Sequence, residues 1–290
     1  MMGDSQDLEL FAKRIRDVPV AVLDFEMTGL DPEHDRVCEV AIVRGRGGRV
    51  ESTFQTLVRP NRAMTANALQ VHGISNQMLV DAPEFVDIAS DIEQQLQGAI
   101  LICHNVPFDI GFLHREMALA NHPLHPPVTV DTLMIARRLF AFPRNNLQSV
   151  CDGLDVPLHN AHRAMGDAQA TFEVYFKMCE ILDPKGEVTV RELADLLEAL
   201  APNSSLRLQQ KGVLQAAFRH KKTVWIDYKA TGEPKLGTIR REIGIWHIKM
   251  PRFQGWCYLR NGERVFRLDR MIHVQLGDRE YEVPKFKRRI

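Results

Sequence analysis

The chain has 290 residues, of which 45% are hydrophobic and 26% charged, with 37 basic and 37 acidic side chains. This length allows one large domain or two ordinary ones, and the apolar content permits a full core. Five scattered cysteines (38, 103, 151, 179 and 257) without a C-x-x-C pair exclude a disulfide framework or thiolate zinc site, and no apolar run reaches membrane-spanning length.

In chain order, the start Met1-Met2-Gly3-Asp4 lacks the basic and apolar regions of a signal peptide, so a cytoplasmic location is expected. Val20–Glu26 reads as an apolar strand. Val37–Arg44 and Arg49–Val58 read as two more, joined by Gly45-Arg46-Gly47-Gly48, whose glycines suit a hairpin turn. A helix is expected over Glu84–Leu96, a strand over Ala99–Cys103 and a helix over Pro107–Ala120. After a Pro/His loop at Asn121–Pro127, helices follow at Asp131–Leu139, Leu147–Leu154 and Ala164–Leu182. Three consecutive strands and then α/β alternation imply a mixed sheet flanked by helices.

Asp183-Pro184-Lys185-Gly186 punctuates the chain. Helices are expected at Val190–Leu200, ended by Ala201-Pro202-Asn203, and at Leu206–His220. No glycine turn and recognition helix follow Val190–Leu200, which argues against a helix-turn-helix. Short strand-like runs then appear at Thr223–Tyr228, Thr238–Ile248, Trp256–Leu259, Arg264–Leu268 and Ile272–Leu276, the pattern of a small β-barrel. The domains expected are 1–183, a helical linker over 184–204 and a β-domain over 205–290.

The zero net charge hides a split. Residues 1–183 hold 15 Lys and Arg against 25 Asp and Glu, whereas residues 184–290 hold 22 against 12. The basic half is the better polyanion binder, although mutual docking of the halves is the competing explanation.

The chemistry concentrates in the first half. Asp24-x-Glu26 ends the apolar run Val20–Leu23, and alternation along a strand points both carboxylates the same way. Converging carboxylates repel unless a cation lies between them, and hard divalent ions take oxygen ligands and suit phosphate substrates. Further on come Val71-His72-Gly73-Ile74, His104-Asn105-Val106-Pro107-Phe108-Asp109 and His162-Arg163-Ala164-Met165-Gly166-Asp167.

In this ordered set the chain resembles the DEDDh, DnaQ-like 3′–5′ exonucleases over roughly residues 18–181. The resemblance implies a ribonuclease-H-like sheet and two divalent cations, Mg²⁺ or Mn²⁺. It implies that Asp24 bridges both ions, that Glu26 and Asp167 complete the site beside the attacking water, and that Asp109 supports the second ion. His162 would take the proton from that water, from a loop entering the helix of Asp167. Expected substrate contacts are Met27, the backbone N–H groups at Thr28 and Gly29, His72, and Phe108 as a stacking ring. His104 is read as structural, holding the loop of Asp109.

Gly255-Trp256-Cys257-Tyr258-Leu259 and Arg264–Met271, with Val224–Tyr228 upstream, resemble a WYL domain, with Cys257 where the naming tryptophan would fall. That resemblance implies an Sm/SH3-like β-barrel that binds or senses nucleic acid, with Arg240, Arg241, Arg264, Arg267 and Arg270 as candidate phosphate contacts alongside Arg252 and Arg260. The expected activity is exonucleolytic degradation of single-stranded nucleic acid, DNA ahead of RNA, to nucleoside 5′-monophosphates, with a polymerase or DNA-repair protein as a candidate partner. The other readings are an exoribonuclease on short or structured RNA, and a regulator that uses the nuclease fold as a scaffold.

Overall fold

A computed structural model describes residues 5–124, 128–200, 205–229 and 238–282. The end of the Pro/His loop, the break expected at Ala201-Pro202-Asn203 and the basic C-terminal tail lie outside the described residues. The chain forms two compact units, residues 1–134 with 144–193, and residues 135–143 with 194–290.

The first unit carries helix α1 (Ser5–Ala12) and a five-stranded sheet of β1 (Val20–Met27), β2 (Val37–Arg46), β3 (Arg49–Leu57), β4 (Ile100–Cys103) and β5 (Thr129–Asp131), in the order β3-β2-β1-β4-β5. β1, β2 and β3 are antiparallel, whereas β4 and β5 run parallel to β1, so the sheet is mixed as expected. The β2–β3 turn needs positive φ at two successive residues, and Gly47 (58°) and Gly48 (74°) supply it without a Cβ penalty.

β2 is buried on both faces, so its apolar run requires helices on each side. Odd-numbered β1 residues, from Ala21 to Met27, join Val40 and Ile42 in a core with helices α3 (Phe85–Leu96) and α4 (Val106–Leu119). Even-numbered residues, among them Asp24 and Glu26, share the opposite face, and the long helix α7 (Ala164–Leu182) packs on β1 and β2. α3 starts with a capping box between Glu84 and Asp87, and α4 carries a proline in its first turn. Helices α5 (Thr132–Leu139) and α6 (Leu147–Leu154) fall where the apolar spacing puts them. The sequence pattern does not signal α2 (Ala66–His72) or the three-residue strand β5, both too short to show a period.

Helices α8 (Val190–Ala199) and α9 (Ser205–His220) precede the second sheet. Its strands are β6 (Lys222–Lys229), β7 (Thr238–Lys249), β8 (Arg252–Cys257), β9 (Gly262–Arg267) and β10 (Met271–Glu280), all antiparallel in the order β10-β6-β7-β8-β9. The second unit therefore carries a five-stranded antiparallel sheet. The strand expected at Trp256–Leu259 begins earlier, at Arg252. Phe253, Gly255 and Cys257 form its buried row, and Tyr258 and Leu259 already belong to the next connection. All five cysteines are buried and free, and Cys257 packs in the core of this sheet. Among the described residues no helix is long and apolar enough to cross a membrane.

The second unit buries cations. Arg207 on α9 donates to the carbonyl oxygens of Leu268 (2.8 Å) and Met271 and to Gln210 Oε1 (2.7 Å), which ties the helix to the start of β10. Lys229 is 5% exposed, and its Nζ has no hydrogen-bond partner among the described residues. Burial, aided by the charge of Arg207, pushes its pKa down to about 7 from an ordinary 10.5. The unfolded chain therefore binds the proton more tightly across that window, so stability rises with pH from about 7 towards 10. Lys229→Met should raise the melting temperature at neutral pH, on the order of 2 kcal/mol in stability, with a gain that shrinks towards pH 10. Thermal scans at the two pH values check this, and a pH-independent effect would contradict it.

Candidate active site

Three carboxylates converge at the C-terminal end of β1. Oxygen atoms of Asp24, Glu26 and Asp167 all lie within 4.8 Å of one another, each residue half-buried. β1 supplies the first two by alternation, and the first turn of α7 supplies Asp167. Asp109, in the first turn of α4, is buried, and its Oδ1 accepts the Phe25 N–H at 3.3 Å, between Asp24 and Glu26. Both helical aspartates thus sit where the helix dipole favours negative charge.

The cluster is electrostatically strained. Burial, then the charges of Asp109, Asp167 and Glu26, raise the Asp24 pKa well above the carboxylate range. Burial and then Asp167 and Glu39 push Glu26 up to about 8, while burial lifts Asp109 to about 7 against the opposing Phe25 N–H. Burial also raises Asp167, whose Oδ1 is sealed from solvent without a hydrogen-bond partner among the described residues. Convergent hard oxygen donors, mutual repulsion and an orphaned buried oxygen together fit a divalent cation of the Mg²⁺ or Mn²⁺ type.

His162 is exposed in the turn before α7 with φ 62°. Gly166 makes that turn possible, because a Cβ there would fall 2.1 Å from the His159 carbonyl oxygen. His104 bridges Thr132 Oγ1 and the Asn145 carbonyl, each at 2.9 Å, in the connection that precedes α4. Asp131 completes that anchor by accepting the Asn105 N–H at 3.1 Å.

The expected substrate contacts need revision. The Met27 side chain lies in the core, 6% exposed, on the opposite face of β1 from Asp24 and Glu26. Thr28 is fully buried. Its N–H donates to the Arg36 carbonyl, and its hydroxyl donates to Asp35 Oδ1 and accepts the Arg36 N–H. Neither group of Thr28 is therefore free to meet a nucleotide, which leaves the adjoining Gly29. His72 is buried with one ring nitrogen on the Met27 carbonyl and the other accepting the Ile74 N–H. Phe108 is half-buried, its ring edge-to-face with Phe112 at 5.5 Å.

Sequence reasoning missed the residues that brace the site. Glu39 on β2 accepts from Arg163 and from the Ala164 N–H, and Glu116 on α4 accepts from Arg36 and the Val37 N–H. Although burial pushes the Glu39 pKa up, these donors hold it below the ordinary value. The signal was present: Glu39 is a lone carboxylate inside the apolar run Val37–Val43.

In the second unit the candidate arginines do not form one face. Arg240 and Arg241 are consecutive on β7 and leave opposite sides of the sheet. Arg240 is exposed, its guanidinium 5.5 Å from the Trp225 ring centroid. Arg241 lies 5.7 Å from the Tyr228 ring centroid with its Nε sealed from solvent. Arg264 and Arg267 are exposed on β9, the latter paired with Asp269 at 2.6 Å, and Arg270 is half-buried against the Phe142 carbonyl.

Comparison with known proteins agrees with this geometry. The family pattern "RNase_T: Exonuclease" matches residues 21–175. A PolC-type DNA polymerase III from Oceanobacillus iheyensis is 34% identical over 165 residues, 57% of this chain and 12% of that protein. The DNA polymerase III epsilon subunit of Treponema pallidum is 33% identical over 56% of this chain and 76% of its own length. The chain thus spans about an eighth of the PolC-type relatives and a larger share of the epsilon subunits. Exonuclease I of E. coli in complex with a dT13 oligonucleotide aligns with a TM-score of 0.54 and 15% identity over 90% of this chain and 66% of its own. Exonuclease X in complex with 5′ overhanging duplex DNA aligns with a TM-score of 0.50 and 23% identity over 61% of this chain and 99% of its own. Those structures share the ribonuclease-H-like exonuclease fold of the mixed sheet. The chain belongs to the RNase T exonuclease family, a family of hydrolases whose domain occupies residues 21–175.

Proposed function

We propose that the protein is a 3′–5′ exonuclease that degrades single-stranded DNA to nucleoside 5′-monophosphates, with its basic C-terminal region gripping the strand. The observation that carries the reading is the convergence of Asp24, Glu26 and Asp167, with an orphaned Asp167 oxygen and Asp109 alongside. Asp24 would serve two Mg²⁺ or Mn²⁺ ions, Glu26 and Asp167 one of them, and Asp109 the other. Bound ions of this class polarise the attacking water and neutralise charge on the leaving oxygen. His162 accepts the proton of the water as its oxygen bonds to phosphorus, and the P–O3′ bond breaks to free a 5′-monophosphate. Phe108 and the Gly29 backbone are assigned to the terminal nucleotide. DNA is favoured over RNA because the relatives are DNA polymerase III proteins and the structural neighbours are complexes with duplex DNA or a dT13 oligonucleotide.

The functional division is proposed as 1–183 for catalysis, 184–204 as connection and 205–290 as a WYL-like nucleic-acid-binding region. Residues 205–290 hold 20 Lys and Arg against 8 Asp and Glu. Replacing exposed Arg240 and Arg264 by Gln should weaken binding to long single strands. The slope of log affinity against log salt should become shallower by about one for each phosphate that is no longer neutralised. Titrations of a fluorescent oligonucleotide at several salt concentrations measure this, and an unchanged slope removes both residues from the interface.

The test of the activity is digestion of matched DNA and RNA oligonucleotides, labelled at either end, in Mg²⁺ or Mn²⁺. A 3′ label should leave at once as a mononucleotide, while a 5′ label should report a shrinking ladder, faster for DNA. Internal cuts, or no product, would refute the proposal, and faster RNA digestion would transfer it to exoribonuclease action.

A further inference from the structure

Glu39 stands directly across the β1–β2 ladder from Glu26, so both side chains leave the same face of the sheet. It is 1% exposed. By position it resembles another metal-binding carboxylate, yet its acceptor sites are occupied. Oε2 takes the Arg163 Nε and the Ala164 N–H, both at 3.0 Å. Oε1 takes Arg163 Nη2 at 2.7 Å and Gln55 Nε2 at 3.0 Å. Four donors on one buried carboxylate leave it no lone pair aimed at an ion.

What Glu39 grips is the backbone immediately after His162. The histidine has φ 62°, a left-handed conformation that is unfavourable for a non-glycine residue and persists only where the surroundings impose it. The Glu39–Arg163 fork and the Ala164 bond fix the two residues that follow it, at the start of α7. The imidazole itself is exposed to solvent on a backbone anchored on that side.

We infer that Glu39, through its two-bond pair with Arg163 and its bond to the Ala164 N–H, is the positioning residue that sets His162 for proton transfer. This rests on the proposed exonuclease reading, in which His162 is the base. A planar guanidinium–carboxylate fork is directional, so loosening it moves the loop rather than merely weakening one bond. Misplacement of a reacting group by about 1 Å costs on the order of 10²-fold in rate.

The experiment is a double-mutant cycle on the full-length chain with a 5′-labelled DNA oligonucleotide, comparing Glu39→Gln, Arg163→Lys and His162→Ala, singly and combined. Glu39→Gln and Arg163→Lys should each lower kcat by about 30–100-fold, with KM and the half-saturating Mg²⁺ concentration within about twofold. In the His162→Ala background the same changes should cost less than about threefold, because the group they position is gone. Should Glu39→Gln fail to fold, Arg163→Lys carries the cycle. Equal losses in both backgrounds would overturn the inference and assign Glu39 a general structural role, and a shift in half-saturating Mg²⁺ would assign it to the metal site instead. If His162→Ala retained full activity, the base assignment itself would fall. An inactive wild-type protein would refute the exonuclease reading.

Discussion

Asp24→Asn should cut nucleotide release by roughly 10³-fold or more while making the metal-free protein more stable. The substitution keeps the size and shape of the side chain and removes only its charge. In the folded chain that charge lies within reach of Asp109, Asp167, Glu26 and Glu39, and burial adds to the repulsion. Removing it relieves the cluster, so the melting temperature in chelator should rise by a few degrees. The same substitution removes one of the three convergent carboxylates, so Mg²⁺ should stabilise the variant much less than the parent. Initial rates on a 5′-labelled oligonucleotide and paired thermal scans with and without Mg²⁺ measure both effects. Activity within tenfold of the parent, or a lowered melting temperature in chelator, would mean that Asp24 serves the fold rather than the chemistry.

How much of this site could be read beforehand follows from what each residue type signals. Asp24, Glu26, Asp109 and Asp167 are acidic side chains where apolar strands end or helices start, and the structure brings the first, second and fourth together with Asp109 beside them. The mixed sheet was legible because β1 and β2 are apolar and the glycine pair between β2 and β3 dictates a tight turn. The neighbourhood of the Thr28 turn was not legible. Its N–H and hydroxyl are consumed by Arg36 and Asp35, residues related to it by no period and no fixed spacing. Met27 departs from expectation because alternation along β1 continues past Glu26, which turns its side chain to the core face with Phe25. In the second unit, periodicity located the strands to within a few residues. It said nothing of Arg207, a charged residue whose burial depends on carbonyl groups about sixty positions away. Glu39 and Arg163 illustrate the general difficulty: a pair 124 residues apart becomes visible only once β2 and the start of α7 are adjacent.

The same charge cluster predicts an unusual dependence of stability on pH in the absence of metal. For a carboxylate whose pKa is raised on folding, the native state holds the proton more tightly than the unfolded state between the two pKa values. Stability therefore falls as pH rises through that interval. For Glu26 the interval runs from 4.5 to about 8, for Asp109 from 3.8 to about 7, and Asp24 and Asp167 shift in the same direction. Because these groups share one repulsion, their contributions do not add, and partial exposure of Glu26 weakens its share. A net loss of a few kcal/mol between about pH 5 and pH 8 is expected, a drop on the order of 10 °C in melting temperature for a unit of this size. Excess Mg²⁺ should flatten the profile and bind more tightly as pH rises, since protons must leave the carboxylates before a cation can take their place. Glu26→Gln should flatten the metal-free profile by itself and lose most of the Mg²⁺ response. Thermal scans across this pH range, in chelator and in excess Mg²⁺, separate the alternatives. A metal-free profile that is level or rises towards pH 8 would show that the carboxylates ionise without mutual strain, and the argument that they are arranged for divalent cations would lose its electrostatic basis.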